Sequence, residues 1–280
     1  MAVLRSWLDR PGARWALSLI VTAYMVAQSR GPCLIYFWRG RWVHRYPRAR
    51  WAAPEPVILS PKALDAFTYE HFFYEYVPAS GDLVVDVGAG FGSEVLTFSR
   101  LVGTEGKVIA IEAEPRTVGC LEFTCAENSL QNVQVVHAAV TDQRGEVSIT
   151  QHKDYMSNSI SPGAAGGVRV PALRLSELIA SSSRNEVAFL KMNIEGAELS
   201  VLRELGAQLD KVRHAAICCH DFRADLEGDE YFRTLAPVRE LLVNANFLIK
   251  QRAADARTGI RDTLYVSNTS RPQDPAATHD

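Results

Sequence analysis

The chain holds no C-x-x-C pair and only five cysteines (Cys33, Cys120, Cys125, Cys218 and Cys219). An odd set of scattered thiols excludes a zinc ribbon and a disulfide frame, and fits reduced cysteines in a cytoplasmic protein. No apolar run reaches the roughly 20 residues that a membrane span requires. The nearest approach is Trp15–Ala27, inside an uncharged stretch from Trp15 to Ser29. Acids are nearly missing from residues 1–51, which carry nine arginines against the single carboxylate of Asp9. No nucleic-acid-binding module or aromatic RNA-binding signature is present, so nucleic acid is not an expected partner. There is no internal repeat. At 47% hydrophobic and 22% charged residues the composition is that of a folded domain.

Beneath the net charge of -2 lies a division. An Arg-rich, acid-poor segment next to an apolar one points to an anionic surface, a lipid head group before nucleic acid. Residues 1–51 are therefore read as a basic, apolar extension. Three arrangements are open for its apolar run: a helix packed on the domain, a helix lying in a membrane interface, or a short anchor. The run also resembles a signal-peptide core, although export would separate the chain from a cytoplasmic cofactor. Cys33–Trp38 forms a second apolar patch, and Arg39-Gly40-Arg41-Trp42 reads as a hairpin turn or a basic-aromatic membrane contact. Pro54 and Pro56 mark a boundary, the main domain runs over residues 60–268, and the polar residues 269–280 read as a loose tail.

Beyond residue 80 strands and helices alternate. Strands are expected at Leu83–Val87, Lys107–Glu112, Val133–His137, Val187–Asn193 and Ala215–Cys219. Helices are expected at Pro61–Tyr76, Ser93–Leu101, Pro115–Asn128, Ala197–Leu205 and Tyr231–Asn244. Glu146–Thr150 and Gly167–Pro171 read as short extra strands, and Ser176–Ser181 as a helix. The pattern predicts an α/β fold with a mainly parallel sheet and helices on both faces. Phe247–Gln251 and Thr263–Ser267 have no helix between them and should pair antiparallel. The aromatics of 61–76 read as a helix face on the sheet, or else as the wall of a ligand pocket.

A parallel sheet binds ligands beyond its C-terminal strand ends, where strand order reverses. The first strand runs into Asp86-Val87-Gly88-Ala89-Gly90-Phe91-Gly92. A dinucleotide site of the G-x-G-x-x-G type calls for a glycine at 93, where Ser93 stands, and the glycine falls one place early, at Gly92. Asp86 would repel a pyrophosphate and favour the cationic sulfonium and ammonium of S-adenosylmethionine. Glu112, ending the second strand, can accept hydrogen bonds from both ribose hydroxyls, with Glu114 as competitor. The cofactor set is Asp86, Gly88, Ala89, Gly90, Gly92, Glu112, Ala113, Ala139 and Asn193, and the cofactor is S-adenosylmethionine. An NAD-type dinucleotide oxidoreductase is the first alternative, and a membrane-associated cofactor-binding module without catalysis is the second.

Val84–Gly92 and Ile111-Glu112-Ala113-Glu114-Pro115 resemble the first two motifs of the FkbM family of methyltransferases, as do Leu121, Asn128 and Asn132-Val133. Phe189–Glu198 is similar to the family's Lys-x-Asp-x-Glu-Gly-x-Glu signature. The resemblance spans about residues 75–250 and leaves 1–60 outside. Asn193 stands where the family has Asp, and Leu175-Ser176 where it has Leu-Asp, with Ser176 expected to cap the next helix. The resemblance implies a Rossmann-like, seven-stranded class I methyltransferase fold with one antiparallel strand. It also implies O-methylation of a hydroxyl on a sugar, lipid, polyketide or related small molecule.

A hydroxyl acceptor must lose a proton as the methyl group arrives, so a base belongs near the ends of the fourth and fifth strands. His220 is the first candidate because its intrinsic pKa suits neutral pH, with Asp221 to orient it or hold substrate and Glu195 beside it. A metal is not expected. His152, Asp154 and Tyr155 read as a solvated loop, or as a lid over the acceptor. The pattern assigns no oligomeric state.

Overall fold

In the computed structural model, residues 11–28, 31–150, 159–160, 167–182, 184 and 186–271 are described. His152, Asp154 and Tyr155 lie outside them.

The central sheet has seven strands in the order β13-β14-β12-β11-β4-β5-β6. These are β4 (Leu83–Val87), β5 (Lys107–Glu112), β6 (Val133–His137), β11 (Val187–Met192), β12 (Val212–Cys218), β13 (Phe247–Gln251) and β14 (Thr263–Asn268). Antiparallel β14 pairs with β12 on one side and with β13 on the other, while the remaining pairs are parallel. Order reverses between β4 and β11, which opens a crevice at their C-terminal ends.

Burial on both faces explains why the strands read as nearly unbroken apolar runs. Leu83, Val85 and Val87 enter one core with Leu190, Met192 and Ile217, while Val84 enters the other with Phe72, Phe98 and Phe189. The second core is covered by α2 (Pro61–Phe72) and α3 (Ser93–Val102). Helix α2 stops four residues earlier than its aromatic pattern suggests, at a cap on Phe73. Phe72 and Phe73 then turn inward to the sheet. None of the aromatics between 61 and 76 reaches the central cleft.

After α3 the described chain adds the α-helices α4 (Pro115–Glu127), α5 (Leu175–Ser181), α6 (Glu198–Leu205), α7 (Asp221–Glu227), α8 (Leu235–Asn244) and the one-turn α9 (Thr258–Arg261). Ser176 does not cap α5, whose N-cap is Arg174. Instead, its N–H and hydroxyl both donate to the Glu204 carboxylate, tying α5 to α6. Between β6 and β11 a second sheet forms from β7 (Ala139–Val140), β8 (Gly145–Thr150), β9 (Ser159–Ile160) and β10 (Val168–Leu173), in the order β7-β10-β8-β9.

The N-terminal segment is an integrated module. Helix α1 (Pro11–Ala27) lies on a three-stranded antiparallel sheet of β1 (Leu34–Trp38), β2 (Arg41–Arg45) and β3 (Arg50–Ala53). Arg39-Gly40 is the hairpin turn, with positive φ at both residues. Thr22 Oγ1 accepts from the Ile35 N–H at 2.9 Å and donates to the Ile35 carbonyl at 3.1 Å. Val21, Met25, Ile35, Trp42 and Trp51 share a core with Cys120 of α4 and with Phe91 of the glycine loop. Asn128 takes up the exposed edge of β3 by accepting from the Arg50 N–H and donating to the Arg50 carbonyl.

Candidate active site

The cleft at the ends of β4, β5 and β11 is lined in part by apolar or small residues, among them Val87, Ile111, Ala113, Ala138, Ala139 and Ile149. Its charged lining is Glu94, Glu112, Glu114 and Glu195 against the single cation of Lys191, and Ser93, Thr117 and Asn193 add neutral polar groups. An acidic cleft with an apolar wall suits a cationic ligand that carries an aromatic base. It does not suit a pyrophosphate.

Of the glycine loop, Gly88 and Gly90 line the cleft, whereas Asp86, Ala89 and Gly92 do not. Gly88 has φ +79°, and a Cβ there would stand 2.1 Å from the Asn193 carbonyl oxygen. Only glycine lets the ends of β4 and β11 meet this closely. Gly90, at φ +56°, has nothing within 4 Å of a built Cβ, so its open side is the cleft itself. Gly92 has a packing role instead: as N-cap of α3, its Cβ would collide with Leu121 Cδ1 at 2.8 Å.

The expectation that Asp86 meets the ligand's positive charge is corrected. Asp86 and Lys191 are directly opposed across β4 and β11. They form a buried ion pair, with Lys191 Nζ 3.0 Å from Asp86 Oδ1. Burial pushes the Asp86 carboxyl up to about 6 despite Lys191. Burial would lower the Lys191 ammonium, but Asp86 and Glu94 hold it above its ordinary value. Lys191 Nζ also donates to the Gly88 carbonyl at 2.6 Å. The aspartate thus neutralises a lysine that braces the glycine loop, and Lys191 is the residue that reaches the cleft.

Glu112 stands where the second strand was expected to deliver a carboxylate. Its Oε2 accepts from the Gly90 N–H, and its Oε1 from the N–H groups of Ala113 and Glu114, all at 2.9 Å. Burial raises its pKa against these backbone donors. Glu114, its competitor, is committed to capping α4 through the Thr117 N–H and hydroxyl, at 2.7 and 2.8 Å.

Lys191 near the end of β11 and Asn193 and Glu195 in the turn that follows it all line the cleft. Asn193 is anchored by its own N–H on the Val87 carbonyl at 3.0 Å. Glu195 sits at φ +54°, a conformation that costs a non-glycine residue about 1–3 kcal/mol. Two cations hold it there, Arg223 Nη1 at 2.6 Å from Oε2 and His220 Nε2 at 3.1 Å from Oε1.

His220 is corrected from base to clamp. It is buried and outside the cleft lining, and its other nitrogen, Nδ1, lies 2.9 Å from Glu198 Oε1. Burial would lower its pKa, but the carboxylates of Glu198 and Glu195 override this and hold it up at about 10. An imidazolium with both nitrogens committed has no lone pair to receive a proton. Glu198, fully buried, also accepts from the Gly196 N–H and the Thr234 hydroxyl, at 3.1 and 3.2 Å. Burial would raise its pKa, but His220 brings it below the usual range. Asp221 is likewise structural: its Oδ1 accepts from the N–H groups of Thr234 and Leu235, both at 2.8 Å, at the start of α8. Of the expected catalytic group, only Glu195 faces the cleft. Sequence reasoning passed over Lys191 and Arg223. The every-second-residue spacing Lys191-x-Asn193-x-Glu195 at and just beyond the strand end was the available signal for the first, while nothing local marks the second.

Among the described residues, no group of three His, Cys, Asp or Glu side chains is arranged to hold a metal ion. No described helix is long and apolar enough to cross a membrane.

A family model, the methyltransferase FkbM domain, matches residues 86–249. Among solved structures, the chain is similar to the methyltransferase FkbM from Methylobacillus flagellatus KT (16% identity, TM-score 0.47). That match covers 74% of this chain and 50% of the other, so the chain spans half the length of that protein. It is also similar to Aeropyrum pernix fibrillarin in complex with natively bound S-adenosyl-L-methionine (15% identity, TM-score 0.41, covering 82% of this chain and 94% of that one). A third similar structure is the SAM-dependent O-methyltransferase from Thermotoga maritima (13% identity, TM-score 0.40, covering 79% and 69%). No curated protein matches the sequence.

Proposed function

The chain belongs to the FkbM methyltransferase family and is an S-adenosylmethionine-dependent methyltransferase, and from that premise we propose that it methylates a hydroxyl on a sugar, lipid, polyketide or related small molecule. The dinucleotide alternative falls with the family assignment.

The cofactor supplies an electrophilic methyl group on a positively charged sulfur. The cleft residues fit it by chemistry: Glu112, beside the open face of Gly90, is the group for the ribose hydroxyls. Ala113, Ala138, Ala139 and Ile149 offer a small apolar wall for the adenine. Glu94 and Glu195 place negative charge in the same cleft as a cationic sulfonium and ammonium.

One observation carries the oxygen acceptor. Glu195 is the carboxylate at the β11 end of the cleft, fixed by Arg223 and His220 in a strained backbone. A carboxylate offers about four lone-pair sites, and these two partners leave others for a substrate hydroxyl. Glu195 orients that hydroxyl and takes its proton as the new C–O bond forms. The two cations fix its position, which supplies the alignment on which an in-line displacement depends. Asn193, an amide where the family has Asp, contributes both a donor and an acceptor to the same rim.

The test is transfer of labelled methyl from S-adenosylmethionine to a panel of hydroxylated glycans and lipids. O-methyl product formed by the wild type and lost in Glu195→Gln is expected. Cofactor binding with methyl transfer only to nitrogen or carbon acceptors would overturn the reading.

A further inference from the structure

Helix α1 shows an unusual division. One side is spent on the module core: Val21 and Met25 are buried, and Thr22 is bonded to β1. The other side is exposed and apolar. Trp15, Leu19, Ile20, Ala23, Tyr24 and Val26 all face outward, with Trp15 70% and Ile20 61% exposed, and no charged residue interrupts them. The surface continues past the helix. A groove lined by Trp15, Leu19, Leu34 and Tyr36 joins α1 to β1, an edge strand on which Leu34 and Trp38 are also exposed.

Apolar patches of this kind on a water-soluble surface mark an interaction site. Charge identifies the occupant. Residues 11–53 contain seven arginines and no carboxylate. Arg39, Arg45 and Arg48 are exposed, and the Arg39 guanidinium lies 4.6 Å over the Trp38 ring. Outward-facing Trp and Tyr beside Arg39, Arg45 and Arg48 match the boundary between anionic head groups and acyl chains, while the carboxylate nearby, Glu127, is paired with Arg50 at 2.9 Å. A second copy of this chain would bring the same arginines against these. Spanning is excluded for α1 itself, which has 17 residues and is pinned along one side.

We propose that the outer face of α1, with Leu34 and Trp38 of β1, docks the protein in plane on an anionic lipid surface. The apolar face enters the head-group boundary, and the arginines pair with phosphates. Because this module shares its core with Phe91 of the glycine loop, docking holds the catalytic domain at the surface without a flexible tether. The inference is independent of the acceptor proposed above.

The test is sedimentation of the full chain with vesicles of phosphatidylcholine alone or mixed with phosphatidylglycerol. The wild type is expected to sediment with the anionic vesicles, to be released by raised salt, and to stay largely in solution with phosphatidylcholine alone. Leu19→Glu/Ile20→Glu changes only outward-facing positions, so its unfolding midpoint and cofactor affinity should match wild type. Its vesicle partitioning should fall about 10-fold or more, from lost apolar burial and added negative charge. Arg39→Gln/Arg45→Gln should weaken anionic binding alone. The proposal is overturned if wild-type protein that binds cofactor stays in the supernatant with anionic vesicles. It is also overturned if Leu19→Glu/Ile20→Glu sediments like wild type, if it lowers the unfolding midpoint because another part of the chain covers the face, or if it converts a wild-type dimer to a monomer.

Discussion

The Nε2 atom of His220 lies 3.1 Å from Oε1 of Glu195. This contact changes the meaning of the histidine, because the same ring binds Glu198 through its other nitrogen. The pair joins the fifth strand of the parallel series to the loop that closes the fourth, and it ends in the one carboxylate of the group that faces the cleft.

Removing His220 should therefore act through Glu195 and through stability. His220→Ala leaves the buried Glu198 without its cation and Glu195 with Arg223 alone, a loss of about 3–5 kcal/mol by the usual cost of breaking a buried pair. The folded-state pKa, about 10, lies above the ordinary 6.5. The histidine's contribution is thus complete below pH 6.5 and is lost as pH rises through about 10. Urea unfolding across this range should show the gap between wild type and His220→Ala narrowing as pH rises. A gap that is constant with pH would show that His220 is not charged.

Lys191→Met should cost about 3–5 kcal/mol by stranding the Asp86 carboxylate in the core, and it should loosen the glycine loop that Lys191 braces. Asp86→Asn/Lys191→Met should recover part of that loss, because neither charge then remains unpaired. A double-mutant cycle by denaturant unfolding measures the coupling; additive losses would contradict the pair.

Two glycines two residues apart should respond in opposite ways. Gly88→Ala drives a Cβ into the Asn193 carbonyl and should abolish folding or shift the β4–β11 junction. Gly90→Ala meets no protein atom and should fold with a penalty of about 1–2 kcal/mol for its positive φ. It should nevertheless lose cofactor affinity, because its new methyl occupies the cleft. Calorimetry with S-adenosylhomocysteine, paired with thermal unfolding, separates the two effects.

Glu112→Gln keeps the side-chain shape but removes the charge on which three backbone N–H groups and the ribose are expected to converge. Cofactor affinity should fall roughly 10- to 100-fold, the value of a charge-assisted hydrogen bond. A change within twofold would place the ribose elsewhere.

The large sheet was legible because its strands are buried on both faces and separated by helices, and its antiparallel end because the link from Gln251 to Thr263 has room for only the single turn of α9, too little for a parallel crossover. Strand β3 was not legible. Its four residues fall between Pro47 and Pro54 and look like a boundary, and they become a strand only through β2 and the Asn128 amide. Within the site, the residues set by backbone geometry could be read from order alone: the close approach at Gly88, the open side of Gly90, and Glu112 at a strand end. Charge partnerships could not. Asp86 reads as a ligand carboxylate until β11 sets Lys191 opposite it, and His220 reads as a base until Glu195 and Glu198 arrive from a segment more than twenty residues earlier. In both cases the decisive partner is distant in sequence, and it is that partner which favours the charged form against burial.

The central claim is that Glu195 receives the proton of a hydroxyl while S-adenosylmethionine gives up its methyl group. Its most direct test is single-turnover transfer of carbon-13-labelled methyl by wild type and Glu195→Gln, with the bonded atom identified by NMR and cofactor affinity measured alongside. The account predicts label on oxygen, a rate lower by about 10²- to 10⁴-fold in the variant, and cofactor affinity unchanged within a few-fold. Label on carbon or nitrogen, or a variant that transfers at the wild-type rate, would contradict it.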